Sequence, residues 1–352
     1  MDKPKVTIID VARLAGVSKG TVDRVVYNRG EVSKKSELKV RNAIEELGYE
    51  PNLHASLLAS RQDRMIACLL PSFEAGEYWE KVHFGFEEGG KEVSQLGIRT
   101  RSFFYDQYDP ASFDLVAEEL LAAQPAGVVL PPMFAERSAA FVARLAALEI
   151  PYVYVDTKLE DENYLAYFGM HLYDSGILCA RLLTERHEPS EVDRVAIVRI
   201  NRDKGGLADP TAHRREAFLD FMRENYPSTE ILNVFITPSN PESIEPDLEE
   251  FFGKYPDIHY VVMFNSRVRL LSGYLTKHPD PKRRVIGFDD LEGNLQLLRE
   301  GKVEIIISQH AEKQSHRAVR ALGEFIVMHK SPQMRDNYMH MDILTQYNEK
   351  NY

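Results

Sequence analysis

Six residues in the body of this chain carry side chains suited to gripping a small hydroxylated molecule, and their placement is regular. Asp156 closes the run Tyr-Val-Tyr-Val-Asp, Asn265 closes Val-Val-Met-Phe-Asn, Asp289 closes Val-Ile-Gly-Phe-Asp, and Gln309 closes Ile-Ile-Ser-Gln. Arg214 opens the helical stretch that follows Val195–Ile200, and Trp79, the only tryptophan, stands beside Tyr78. Carboxylates and amides can hold paired hydroxyls, while an aromatic face packs against the C–H side of a sugar ring. A lone Asp or Asn after an apolar run is ordinarily a turn or cap residue. Four such residues after successive runs point instead to a binding site.

A second set lies near the N-terminus. Thr7 followed by Asp10 is a helix-start signal, because side-chain oxygens can satisfy the free N–H groups of a first turn. Val11, Leu14 and Ala15 then share one helical face, and Gly16 offers a left-handed stop. Ser18 caps a second helix whose apolar stripe is Val22, Val25 and Val26. That leaves Lys19, Thr21 and Arg24 facing outward, types suited to phosphates and base edges. Two short amphipathic helices joined by a tight Gly-containing turn make a helix-turn-helix. Ser33 opens a third helix, with Leu38, Val40, Ala43, Ile44 and Leu47 as its apolar side and Gly48 as its stop.

The body must position the first set. Apolar runs recur at Met65–Leu70, Gly127–Leu130, Tyr152–Val155, Val195–Ile200, Val234–Ile236, Tyr260–Phe264, Arg284–Phe288 and Glu304–Ser308. Amphipathic helical stretches separate most of them, as at Val82–Leu96, Phe113–Ala123, Ser138–Leu148 and Gly176–Glu185. This alternation predicts an α/β fold with parallel sheets flanked by helices, in two lobes. Ligands in such sheets bind beyond the carboxyl ends of strands, where the candidate residues fall.

In the first sixty residues, several segments together resemble the lactose-repressor family of bacterial regulators. They are the opening Thr7, the Asp10–Ser18 run, the Thr21-Val22-Asp23-Arg24-Val25 core, the Gly48-Tyr49-Glu50-Pro51-Asn52 junction and the Ala55–Ala59 segment. The resemblance implies a DNA-facing set of Thr7, Ser18, Lys19, Gly20, Thr21, Arg24 and Asn28. It also implies a hinge with Asn52, Ala55 and Leu58, in which Leu58 wedges into the minor groove. The chain departs from the family at Asp23, where serine is usual, and at Gly20. Asp23 lies four residues from Lys19 and is expected to order it; its other open role is to accept a bond from a cytosine amino group. The body resembles the family's effector domain and sugar-binding proteins of the ribose-binding type. By that resemblance Trp79, Asp156, Arg214, Asn265, Asp289 and Gln309 contact a sugar. Gly76 and Ser266 depart from the pattern, where asparagine and aspartate are common.

Composition fits this reading. The net charge is −11, yet residues 1–64 hold 12 Lys+Arg against 9 Asp+Glu, so the remainder carries −14. A mildly basic head supplies local attraction to DNA, and an acidic body stays off it. The two cysteines, Cys68 and Cys179, sit in apolar runs and read as buried and unpaired in a reducing cytoplasm. No secretory signal and no stretch of about 18 apolar residues is present, so no membrane role is expected. Neither a nucleophile elbow nor a phosphate-binding loop appears, and Lys204-Gly205-Gly206 is too bare to count as one; no enzyme activity, metal site or cofactor is expected.

The expected organisation is a helix-turn-helix head over 1–50, a hinge over 51–63 and a two-lobed effector and dimerisation domain over 64–352. Within it, the first lobe spans about 64–165 with a C-terminal return, and the second about 166–290. The expected function is a cytoplasmic, homodimeric transcriptional repressor binding a near-palindromic DNA operator under control of a sugar or polyol. The alternative controllers are a phosphorylated carrier protein or a sugar phosphate.

Overall fold

The computed structural model describes residues 6–26, 32–49, 64–185, 187–188, 191–200 and 211–351. Asn28, Asn52, Ala55 and Leu58 lie outside these residues.

The head is three helices, α1 (Ile8–Ala15), α2 (Lys19–Val26) and α3 (Lys34–Leu47). Thr7 and Asp10 form a reciprocal capping box, with the Thr7 hydroxyl donating to Asp10 Oδ2 at 2.6 Å and the Thr7 N–H to the same oxygen at 3.0 Å. Gly16 and Gly48 end α1 and α3 with left-handed φ of 63° and 59°. Val11, Ala12, Ala15, Val22, Val40, Ala43 and Tyr49 form the core between them. Leu14 and Leu38, expected in that core, are instead 46% and 62% exposed. Three short helices enclose little interior, and small residues fill it, so each larger leucine one step round its helix stays outside.

The body contains two sheets of the same design. The first is ordered β11-β5-β4-β3-β1-β2 and the second β12-β10-β9-β8-β6-β7. In the first, β1 (Arg64–Pro71), β2 (Ile98–Tyr105), β3 (Gly127–Leu130), β4 (Tyr152–Asp156), β5 (Ala166–Gly169) and β11 (Asp336–Tyr338) are all parallel. In the second, β6 (Arg194–Ile200), β7 (Glu230–Ile236), β8 (Tyr260–Val262), β9 (Arg284–Phe288) and β10 (Ile305–Ser308) are parallel, and β12 (Asp342–Leu344) closes the edge antiparallel. Central strands covered on both faces read as unbroken apolar runs; six residues of β1, Met65–Leu70, are at most 1% exposed.

The lobe boundary differs from the expected one. β5 joins the first sheet, while β10 and β12 join the second, so the second lobe reaches past residue 290. The helix Ala311–Met328 then crosses back to pack on the first lobe's helix Tyr78–Ser94. Gly85 permits this contact, because a Cβ there would lie 1.9 Å from the Glu312 carbonyl oxygen. Both cysteines are buried and unpaired. Among the described residues no helix is long and apolar enough to cross a membrane.

Candidate functional site

In the head, most of the described residues expected to face DNA are accessible. Ser18, Lys19, Gly20 and Arg24 are exposed and Thr21 is half-buried, while Val22 behind them is fully buried. Ser18 Oγ accepts from the Thr21 N–H at 3.1 Å and lies 2.9 Å from its hydroxyl, which fixes the start of α2. Thr7 is exposed at the start of α1, with its hydroxyl and N–H both donated to Asp10 Oδ2.

The body holds a cavity of about 90 Å³ between the lobes, and Trp79, Asp156, Arg214, Asn265, Asp289 and Gln309 all line it.

The fourth strand of each lobe ends in an aspartate with left-handed backbone, Asp156 at φ 66° and Asp289 at φ 69°. This region is costly for most side chains, by roughly 1–2 kcal/mol, and Asp tolerates it better than most. Each turn is pinned from behind. Tyr167 Oη donates to the Asp156 carbonyl at 2.9 Å, and Asn294 Nδ2 donates to the Asp289 carbonyl at 2.9 Å. The bent backbone thereby aims each carboxylate into the cavity.

Asp156 accepts from the Tyr78 hydroxyl at 2.7 Å, and Tyr78 and Trp79 meet edge to face with centroids 5.0 Å apart. Asp289 accepts from Gln309 Nε2 at 2.9 Å. The other side-chain atom of that amide, Gln309 Oε1, is buried with no hydrogen-bond partner among the described residues, and it can accept from a donor such as a hydroxyl. Burial raises both carboxylates above the usual range, opposed chiefly by the Tyr78 bond at Asp156 and by Arg214 at Asp289; the latter is pushed up to about 7.

Arg214 is 4% exposed, and burial pulls it below its ordinary range against the opposing pull of Asp289 and Asp156. Its Nε donates to Ser175 Oγ at 2.9 Å, Nη1 donates to the Phe264 carbonyl, and the guanidinium lies 4.0 Å from the centroid of the Phe288 ring. The helix carrying it (Ala212–Asn225) sits tight on Leu172–Thr184, because Gly176 leaves room for the Arg214 carbonyl; a Cβ there would be 2.0 Å away. Asn265 is half-buried, and its Oδ1 accepts from the Arg267 N–H at 3.0 Å, so it also shapes its own turn.

The chain matches the profile of bacterial regulatory proteins of the lacI family over residues 7–52 and that of the periplasmic binding protein domain over residues 66–327. A solved structure of a protein assigned as a LacI transcriptional regulator, from Bacteroides fragilis, superposes with a TM-score of 0.77 at 30% identity, over 83% of this chain and 100% of that one. The chain belongs to the LacI family. Among curated relatives, the regulator DegA of Bacillus subtilis is 45% identical over 76 residues, which is 22% of this chain and 23% of DegA. The ribose operon repressor of Lactococcus lactis is 30% identical over 158 residues, 45% of each chain. The alignments thus span from about a quarter to under half of these two relatives' length. The relatives are LacI-family transcriptional regulators, not enzymes.

Several cavity residues of this LacI-family chain are absent from the sequence-derived set. Arg267 donates to Tyr108 Oη at 2.8 Å across the cleft, and Arg267 and Arg269 both lie near Glu77 Oε1, at 3.5 and 3.6 Å. Outside the cavity lining, Lys81 joins the lobes by donating to Asp290 Oδ2 at 2.6 Å. His310 immediately precedes the helix Ala311–Met328, 6% exposed and 2.8 Å from Asp342 Oδ2.

Proposed function

We propose that this chain is a sequence-specific DNA-binding transcriptional repressor controlled by a monosaccharide or polyol held between its lobes. The observation that carries this reading is the pairing, in one chain, of a capped helix-turn-helix having an exposed polar face with a cleft where two buried carboxylates, a buried guanidinium and an amide oxygen without a partner among the described residues converge. Lys19, Thr21 and Arg24 read base edges and phosphates from α2. Asp156 belongs to one lobe and Arg214, Asn265 and Asp289 to the other, so a ligand touching both favours one relative arrangement of the lobes. Only that difference in affinity between arrangements can shift DNA binding. A homodimer on a near-palindromic operator follows from the need to place two heads on inverted half-sites.

The test begins by selecting duplexes from a random library with the purified full chain, then measuring affinity by fluorescence anisotropy with and without sugars. A near-palindrome should emerge, and Arg24→Ala should weaken its binding by about 1–3 kcal/mol at fixed salt if the guanidinium pairs with a guanine. Failure to enrich any duplex overturns the reading.

A further inference from the structure

We propose that the effector is an anionic monosaccharide, its carboxylate or phosphate held by Arg267 and Arg269 at the rim of the cleft. The inference rests on the preceding reading of the cavity as a sugar site and assigns the ligand's charge.

The deep part of the cleft holds one cation against two acids. Arg214 faces Asp289 and Asp156, and its Nε and Nη1 donors are committed to Ser175 and Phe264. The rim holds two cations, with Glu77 within ion-pair distance of both and Glu74 acting on Arg269 from farther away. Arg267 and Arg269 follow Asn265 two residues apart and both line the cavity, with side chains 16% and 29% exposed. The acid within ion-pair distance of both is Glu77, whose Oε1 lies 3.5 Å from Arg267 Nη2 and 3.6 Å from Arg269 Nη2. Guanidinium–carboxylate bonds of full strength are roughly 2.7–2.9 Å, so one oxygen is shared loosely between two cations. The Nη1 of Arg269 is buried and has no hydrogen-bond partner among the described residues. Burial, and then the charge of Arg267, pull Arg269 below its ordinary range.

A buried N–H of a cation without an acceptor is costly, and two guanidinium forks at one rim suit a planar carboxylate or a phosphate. Tyr108, which accepts from Arg267 at 2.8 Å, fixes the fork's orientation from the opposite lobe. An anion seated there would relieve the repulsion between the arginines and tie them more closely than Glu77 does. The ring of the same molecule would reach inward to Asp156, Asp289 and Gln309.

The experiment is calorimetric titration of the full chain with matched probes: glucose, galactose and ribose against glucuronate, galacturonate, gluconate, glucose 6-phosphate and ribose 5-phosphate. At least one acidic probe should bind roughly tenfold to a hundredfold tighter than its neutral parent, and Arg269→Gln and Arg267→Gln should each shrink that gap. Carboxylate and phosphate arms identify which anion the rim accepts. If a neutral sugar binds as well as or better than its acids, or both variants leave the gap intact, this inference fails while the sugar-site reading stands. If no probe of either kind binds, both fail.

Discussion

The two lobes share a strand order and each ends its fourth strand in an inward-aimed aspartate, yet they furnish the cleft with different chemistry. The first lobe contributes aromatic surface and an acid already engaged: Asp156 is bonded to Tyr78, with Trp79 alongside. The second contributes the cation Arg214, the loosely held rim arginines, and Asp289, the acid whose proton sits near neutrality. One scaffold built twice thus yields a packing wall and a polar wall. Equivalent positions in the chain's two halves therefore need not carry equivalent roles, because the partner behind each carboxylate decides how it behaves.

The sharpest way to break this contrast is at Arg214. Arg214→Met should leave Asp156 and Asp289 facing each other without the buried cation and strip the Phe264 carbonyl of its donor. Removing one member of a buried charged set costs about 3–5 kcal/mol. Denaturant unfolding should show a loss of that order, and sugar should no longer alter operator affinity. An unchanged unfolding midpoint would mean that the polar wall is not held together by this residue.

A subtler comparison makes the same substitution in each lobe. In the ligand-free protein Asp289 holds its proton below about pH 7 because burial disfavours the charge. Its folded-state pKa is raised, so its contribution to stability is present at low pH and is lost as pH rises from about 4 through 7. Sugar hydroxyls donate to a carboxylate, so binding favours the ionised form and expels the proton. Near pH 7, titration in buffers of different ionisation enthalpy should reveal release of roughly half a proton, and affinity should fall as pH drops below 7. Asp289→Asn should abolish the release and the response to ligand while sparing operator binding. Asp156→Asn should leave the release in place. Equal release from both variants would erase the difference between the lobes.

Much of this site was legible in the sequence because strand ends in a parallel α/β body all open on one side; Asp156, Asn265, Asp289 and Gln309 needed only their apolar runs to be located. Other parts were hidden for physical reasons. The edge strand Ile98–Tyr105 carries four polar residues in a row, Arg99 to Ser102, and so lacks the unbroken apolar run of a central strand. Ala166–Gly169 is too short to stand out. Arg267, Arg269 and Glu77 read as ordinary surface charge, and only folding brings the Arg-Val-Arg turn opposite the helix start at Glu77. The reverse error occurred at Leu14 and Leu38, where spacing alone assigned to a small core more apolar bulk than it encloses.

The smallest expected effect lies at Gly176, which tests whether the second lobe's polar wall depends on close helix packing. The Arg214 carbonyl occupies the space a Cβ would take, and that carbonyl is helix backbone, which cannot swing aside. Gly176→Ala must therefore push Ala212–Asn225 outward, and overpacking of this kind costs about 1–3 kcal/mol. Better helix propensity for Ala returns up to about 1 kcal/mol, so the net loss of stability should be modest. Sugar affinity should suffer more than stability, since the outward shift of the helix loosens the bonds of Arg214 to Ser175 and Phe264 together. Calorimetry and thermal unfolding on the same preparation separate the two quantities. A variant with normal sugar affinity and lowered stability would show that Arg214 tolerates displacement, and that the wall is set by its charge rather than by its position.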